Sequence, residues 1–135
     1  HSKGAIGHSD ADVVLHVICD ALLGAMSLGD IGSHFPDTDI KFKGIDSKIL
    51  LGNVVDIMKE KKFEVVNIDV TVMLEKPKLR DYIDTMRKTI SSILGSDISS
   101  ISVKVTTTEG LGFVGREEGV AAHCVCLIKK WVLKS

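Results

Sequence analysis

The spacing of apolar residues along the chain predicts three helices. They cover residues 10–27, 47–61 and 79–94. Ser9 or Asp10 stands where a cap of the first helix is expected, and Asp46 stands in the same position before the second. Gly95 follows the third helix, as is typical of a helix end.

Three further segments have the pattern of strands. They cover residues 64–74, 101–106 and 119–130. In the first, apolar residues alternate from Val66 to Leu74, which predicts one buried face. The last two strands can form a hairpin, and a helix connects the first two, as in a parallel β-α-β unit. The order predicts an α+β fold, with one sheet and helices packed on one face in a ferredoxin-like or chorismate-mutase-like β-α-β arrangement.

Composition narrows the functional classes. The chain has 135 residues, which fits a single domain over residues 1–135. Seventeen Lys and Arg face eighteen Asp and Glu, so the net charge of −1 does not favour a nucleic-acid partner. No apolar run reaches the roughly 18 residues that span a bilayer, so no membrane partner is expected. Three cysteines make no disulfide pattern and favour a reducing compartment.

One histidine just before the first predicted helix and one inside it are candidates for chemistry. His8 and Ser9 precede the apolar stripe, so they stand at a helix N-terminus that can bind phosphate or serve only as a plain cap. His16 lies one turn from Asp12 and from Asp20, so one of its nitrogens can bind a metal while a carboxylate or carbonyl holds the other. It can equally be a hydrogen-bonded core histidine, because a single histidine does not make a zinc site.

Three loop segments carry further polar groups. The acidic loop over 30–39 can bind a cation or sugar hydroxyls, or its aspartates can serve only as turn residues. Hydroxyls and a carboxylate at 106–109 can hold a nucleotide phosphate and Mg²⁺, although threonine is also a good strand former. Lys76, Pro77 and Lys78 can contact a base or phosphate, or form a solvated turn.

Four blocks, taken together and in this order, have a specific resemblance. They cover 8–21 (HSDADVVLHVICDA), 30–39 (DIGSHFPDTD), 75–78 (EKPK) and 106–116 (TTTEGLGFVGR). The chain from about residue 3 to 130 resembles the 2-C-methyl-D-erythritol 2,4-cyclodiphosphate synthase family of the non-mevalonate isoprenoid pathway. The resemblance implies cyclisation of a cytidine diphosphate ester of methylerythritol 2-phosphate with release of CMP. Phosphoryl transfer of this kind depends mainly on positioning and on positive charge.

The resemblance also implies site residues. His8 and Thr107 match the groups that stabilise the transition state, and His8 and Ser9 match the pair that holds the substrate. The methylerythritol pocket is matched by Asp30, Ile31, Gly32, Phe35, Pro36, Asp37, Thr38 and Asp39. The cytidine-side segment is matched by Leu74, Pro77, Lys78, Leu79 and Arg80. The phosphate surroundings and the substrate edge near the trimer axis are matched by Thr106, Thr107, Thr108, Glu109, Phe113 and Arg116.

Metals and partners follow from the same resemblance. His16 matches a Zn²⁺ ligand, and Glu109 matches the ligand of a Mg²⁺ or Mn²⁺ ion that bridges two phosphates. The family takes its other zinc ligands from an Asp-x-His motif in an N-terminal strand. The sequence begins at His1 without that motif, and we expect the intact protein to carry it ahead of His1. A homotrimer with active sites between subunits is implied, in the cytoplasm of a bacterium or in a plastid-type organelle of a eukaryote.

The family pattern is not matched at every position. Gly110 replaces a longer residue and Val17 a smaller one, and neither change removes a group named above. Two alternatives stay open at this point. One is a non-catalytic trimeric phosphate- or nucleotide-binding relative that lacks zinc. The other is a metal-dependent phosphohydrolase, which would attack with water rather than with the substrate's own phosphate.

Overall fold

The computed structural model describes residues 3–36, 46–74, 81–106 and 120–131, with side chains from residue 11 onward. Four α-helices occur in this part of the chain: α1 (Lys3–Ala25), α2 (Ile31–His34), α3 (Ser47–Glu60) and α4 (Ile83–Leu94). Three strands accompany them: β1 (Phe63–Met73), β2 (Ile101–Thr106) and β3 (Ala121–Lys130). The α+β class predicted from the sequence is therefore confirmed.

The three strands form one mixed sheet in the order β2-β1-β3. β1 and β2 are parallel, from the pair Ile68–Ile101 to the pair Met73–Thr106, so the predicted β-α-β unit is confirmed. The predicted hairpin between the last two strands is wrong, because β3 lies antiparallel on the other edge of β1. β1 has eleven residues and gives β3 ten partners, whereas β2 has only six residues to offer.

A bulge in β1 changes which side chains are buried. Ile68, Val70 and Val72 are fully buried on the face that packs against the helices, as their alternation predicts. The register with β3 shifts between Val65 and Asn67, and the extra residue inverts the alternation before that point. The prediction that Val66 belongs to the buried face is therefore wrong, since 37 % of its surface is exposed.

Helix ends follow local chemistry in most places. Asp46 caps α3 by accepting a hydrogen bond from the Lys48 N–H, and Gly95 ends α4 in the left-handed conformation, both as predicted. The start of α1 is the exception. It begins at Lys3, so Ser9 and Asp10 lie inside the helix and the prediction that either of them caps it is wrong.

The core lies between one face of the sheet and helices α1, α3 and α4. Its fully buried side chains include Ile18, Leu22, Leu50, Leu51 and Ile90. Arg87 on α4 donates hydrogen bonds to the Ile101 and Ile98 carbonyls, which fixes the helix against the start of β2. Among the described residues, none of the helices has the length and apolar character needed to cross a bilayer.

Candidate active site

His16 connects two helices. Its side chain is exposed on α1, and its Nε2 atom lies 3.1 Å from the Ser47 Oγ at the start of α3. The sequence suggested a carboxylate or carbonyl as the second partner of this ring, with Asp12 and Asp20 one turn away. The structure gives it a serine hydroxyl instead. Ser47 was missed because it lies 31 residues away, and its only sequence signal was its place beside a helix cap.

Asp20, one turn after His16, holds the acidic loop to α1. Its Oδ1 accepts a hydrogen bond of 2.9 Å from the Ile31 N–H, at the start of α2. The predicted substrate residues Asp30, Ile31 and Gly32 are thereby tied to the helix that carries His16. Sequence spacing placed Asp20 near His16 but gave no sign of this bond.

Asp30 is held as an anion at the N-terminus of α2. Its Oδ1 accepts hydrogen bonds of 2.9 Å from both the N–H and the hydroxyl of Ser33, and these bonds lower the pKa of the Asp30 carboxyl. Asp30 is therefore ionised at neutral pH. Both bonds use Oδ1, and Asp30 is exposed, so its Oδ2 can accept a hydrogen bond from a ligand hydroxyl.

Removing the Asp20 carboxylate should loosen this loop. In Asp20→Ala the Ile31 N–H loses its acceptor, so we expect about 1 kcal/mol less stability and faster hydrogen exchange at the Ile31 amide. Exchange measured by NMR tests this, with Asp56→Ala on the exposed side of α3 as the matched control. Unchanged exchange at Ile31 in Asp20→Ala would contradict the anchoring role.

Two predicted ligand segments begin together at the sheet edge. The Leu74 N–H donates a hydrogen bond of 2.9 Å to the Thr106 carbonyl, just where β1 and β2 end. Leu74 opens the cytidine-side segment and Thr106 opens the phosphate segment. Carboxyl ends of parallel strands are a common place for ligands, and this hydrogen bond fixes where the two segments start.

Many of the predicted site residues lie outside the described residues. They are Asp37, Thr38, Asp39, Pro77, Lys78, Leu79, Arg80, Thr107, Thr108, Glu109, Phe113 and Arg116. For His8 and Ser9 only the helical backbone is described. Because α1 begins at Lys3, these two residues lie inside the helix, after its first free N–H groups, so the predicted position of His8 and Ser9 at a helix N-terminus is wrong. Phe35 and Pro36, which are half-buried, end the described part of the acidic loop.

The described residues include one predicted zinc ligand, His16. They contain no cluster of three or more histidine, cysteine or carboxylate side chains. His16 fits the chemistry of a ligand, because its ring is exposed and only Nε2 is engaged by Ser47. A closed zinc site needs three or four ligands, so the remaining ones would have to come from other parts of the protein.

A separate cavity of about 270 Å³ lies between α1, α3 and α4. Its walls are mainly apolar, with Leu15, Met86 and Ile90 among them, and Lys48 and Tyr82 add polar groups. None of the residues predicted for the site lines this cavity. The cavity therefore gives no evidence about the function of the polar groups around His16 and Asp30.

The described residues form an α+β protein with a mixed sheet and a parallel β-α-β unit. Its candidate active site lies along α1 and the acidic loop that Asp20 holds to that helix. A family model described as the YgbB family matches residues 1–129. The chain belongs to this family. It is 58 % identical over 130 residues to a 2-C-methyl-D-erythritol 2,4-cyclodiphosphate synthase of Brachyspira hyodysenteriae, covering 96 % of this chain and 82 % of the relative. A synthase of the same name from Finegoldia magna is 56 % identical over the same shares.

Solved structures of proteins named IspDF and IspF also match this chain. The bifunctional IspDF from Campylobacter jejuni matches with a TM-score of 0.83 and 46 % identity over 88 % of this chain, which spans 32 % of that longer protein. The IspF of Plasmodium falciparum, in complex with CDP, matches with a TM-score of 0.77 and 30 % identity. That match covers 87 % of this chain and 70 % of the other.

Proposed function

We propose that this chain cyclises 4-diphosphocytidyl-2-C-methyl-D-erythritol 2-phosphate. An oxygen of the 2-phosphate attacks the β-phosphorus, the bond from that phosphorus to the bridging oxygen breaks, and CMP leaves with that oxygen. The activity is that of a 2-C-methyl-D-erythritol 2,4-cyclodiphosphate synthase, a lyase of isoprenoid precursor biosynthesis. The observation that carries the proposal is the 58 % identity to a synthase over 96 % of the chain.

The described residues support recognition of a polyol. Asp30 is a fixed anion, and Asp20 holds the backbone beside it. A carboxylate in this position accepts hydrogen bonds from sugar-like hydroxyls, which suits the methylerythritol part of the substrate. The IspF of Plasmodium falciparum, solved with CDP, supports a cytidine nucleotide as the other part. In our proposal the segments that open at Leu74 and Thr106 contact that nucleotide.

Two metal ions belong to the proposal. His16 would hold Zn²⁺ together with ligands outside the described residues, and Glu109 would hold Mg²⁺ or Mn²⁺. When bound, the two ions supply positive charge to the phosphate oxygens as negative charge develops there. His8 and Thr107 are proposed to assist in the same place. Asp20, Asp30 and Ser47 position groups around them without taking part in bond making.

Neither alternative reading has support from the comparisons. The relatives at 55–58 % identity are all named as synthases, and this identity extends over 128 residues or more. A non-catalytic binding protein would need some observation that sets this chain apart from them. These relatives come from bacteria, so we place the enzyme in a bacterial cytoplasm rather than in a plastid-type organelle.

We also propose that the chain assembles as a homotrimer. The sheet face opposite the core exposes Val125 and Leu127 of β3, with 72 % and 59 % of their surfaces accessible. On the same face, Asp69 forms an ion pair with Lys104 through Oδ2, while its buried Oδ1 has no hydrogen-bond partner among the described residues. A closed threefold ring of subunits would cover this face.

A charge placed on this face should prevent assembly. We expect Leu127→Lys to lower the molecular mass measured by light scattering from that of a trimer towards that of a monomer, because a buried unpaired ammonium is costly. Ile49→Lys is the control, since Ile49 on α3 is equally exposed at 59 % and should leave assembly unchanged. A Leu127→Lys protein that stays trimeric would contradict the proposed interface.

CMP release tests the activity. The purified full-length protein, incubated with the cytidine diphosphate substrate, should release CMP in the presence of Zn²⁺ and Mg²⁺. Removal of the ions with a chelator should stop the release, and adding them back should restore it. A protein that is correctly folded and metal-loaded but releases no CMP would contradict the proposed function.

A further inference from the structure

Ser47 is the one buried polar residue among the described residues. Only 5 % of its surface is exposed, whereas the other buried residues are apolar. A buried hydroxyl needs a hydrogen-bond partner, and the partner here is His16 Nε2 at 3.1 Å. The contact joins α1 to α3 across 31 residues of sequence. The core therefore contains a polar group, the Ser47 hydroxyl, that contacts the proposed zinc ligand His16 directly.

Helix capping does not account for Ser47. Asp46 is the N-cap residue of α3, and its Oδ1 accepts the bond of 2.8 Å from the Lys48 N–H. The Ser47 hydroxyl is therefore not needed for the cap. Its position as the first residue of α3 brings it against α1, where it meets the edge of the His16 ring.

An imidazole ring has two nitrogens, and a partner on one of them decides what the other can do. The Ser47 hydroxyl can donate to Nε2 or accept from Nε2–H, and zinc binding through Nδ1 requires the second arrangement, in which the neutral ring has its lone pair on Nδ1. A metal ligand needs such a lone pair, held in a fixed direction. A ring without this partner would exchange between two tautomers and rotate more freely.

We propose that Ser47 is a positioning residue that holds His16 in the Nε2–H tautomer and directs Nδ1 to the zinc ion. The inference deepens the proposed function and rests on it. It assigns Ser47 no contact with substrate and no part in bond making. Loss of the hydroxyl should weaken zinc binding by 10- to 100-fold, the range found when the outer partner of a ligating histidine is removed.

The first test uses metal-free protein. With the imidazole nitrogens labelled with ¹⁵N, the wild-type chain at a pH where His16 is neutral should show one dominant tautomer, protonated at Nε2. Ser47→Ala should show a mixture, and Ser47→Thr, which keeps the hydroxyl, should restore the single form. A Ser47→Ala spectrum identical to that of the wild type would overturn the inference.

The second test measures zinc affinity by competition with a chelator in the full-length protein. Ser47→Ala should bind zinc 10- to 100-fold more weakly, and Ser47→Thr should bind nearly as well as the wild type. Ser91→Ala is the control, because the Ser91 hydroxyl on α4 donates to the Ser96 carbonyl just after that helix, so its loss should leave zinc affinity unchanged. Should Ser47→Ala fail to fold, Ser47→Thr and Ser47→Val have nearly the same shape and differ in the hydroxyl, so the two decide the question.

The outcomes separate the inference from the proposed function. Normal zinc binding by the wild type and by the variants without the hydroxyl overturns the role of Ser47 and leaves the proposed function standing. A wild-type protein that binds no zinc contradicts the proposed metal site itself, and the role of Ser47 with it. Weaker binding in Ser47→Ala, recovered in Ser47→Thr, supports both.

Discussion

Replacing His16 with alanine should remove zinc from the purified protein and lower the turnover rate by roughly 100-fold or more, the loss expected when charge stabilisation is removed from an active site. His16 is the only imidazole of α1 whose side chain is described, and its ring is exposed while Nε2 is engaged by Ser47. Without the ring the proposed site loses a protein ligand, and the buried Ser47 hydroxyl also loses its partner. Elemental analysis and CMP release measure the two effects.

A second histidine gives the control for this variant. His123 is exposed on β3, opposite Thr71 in the sheet, and the proposal gives it no metal. His123→Ala should therefore keep the zinc content of the wild type. If His16→Ala keeps its zinc as well, the ligand assignment is wrong.

Of the substitutions proposed for this protein, Ile18→Ala should cause the largest loss of stability. Its side chain is fully buried on α1, two residues after His16, so Ile18→Ala leaves a cavity in the core. We expect the free energy of unfolding to fall by about 2–5 kcal/mol, a large part of the 5–15 kcal/mol typical of a domain. Denaturant unfolding measures the change at one fixed protein concentration, because assembly of subunits also contributes to stability.

Ile49 provides the comparison for Ile18. It is the same residue type in a helix, but 59 % of its surface is exposed, so Ile49→Ala should change stability by no more than about 0.5 kcal/mol. Equal losses in the two variants would contradict the packing described for α1. A loss confined to Ile18→Ala would agree with it.

Local sequence signals predicted much of the fold. Asp46 and Gly95 mark helix ends because caps act through neighbouring backbone groups, and β2 matches its predicted bounds of 101–106. The start of α1 was misjudged because Ser9 and Asp10 are good caps in isolation, while the chain before them also continues the helix. The bulge after Val65 was missed because it depends on the register with β3, which no local pattern encodes.

The candidate site, too, was predictable from the sequence only in part. The order of four sequence blocks identified the family, and the comparisons confirm that identification. The contacts that organise the site were not predictable from one sequence. The bond from Ser47 to His16 joins residues 31 positions apart, and the bond from Asp20 to Ile31 joins a helix to a later loop. Such contacts arise from the packing of α1 against its neighbours rather than from the spacing of residue types.

Identification of the reaction product tests the central claim most directly. CMP release alone does not separate cyclisation from hydrolysis, because both reactions break the same phosphoanhydride bond. Phosphorus NMR of the completed reaction should show CMP and a product in which two phosphorus nuclei are coupled to each other, as in a cyclic diphosphate. Two uncoupled phosphate monoesters, in a product one water molecule heavier, would mean that water is the nucleophile, and this would contradict the synthase assignment.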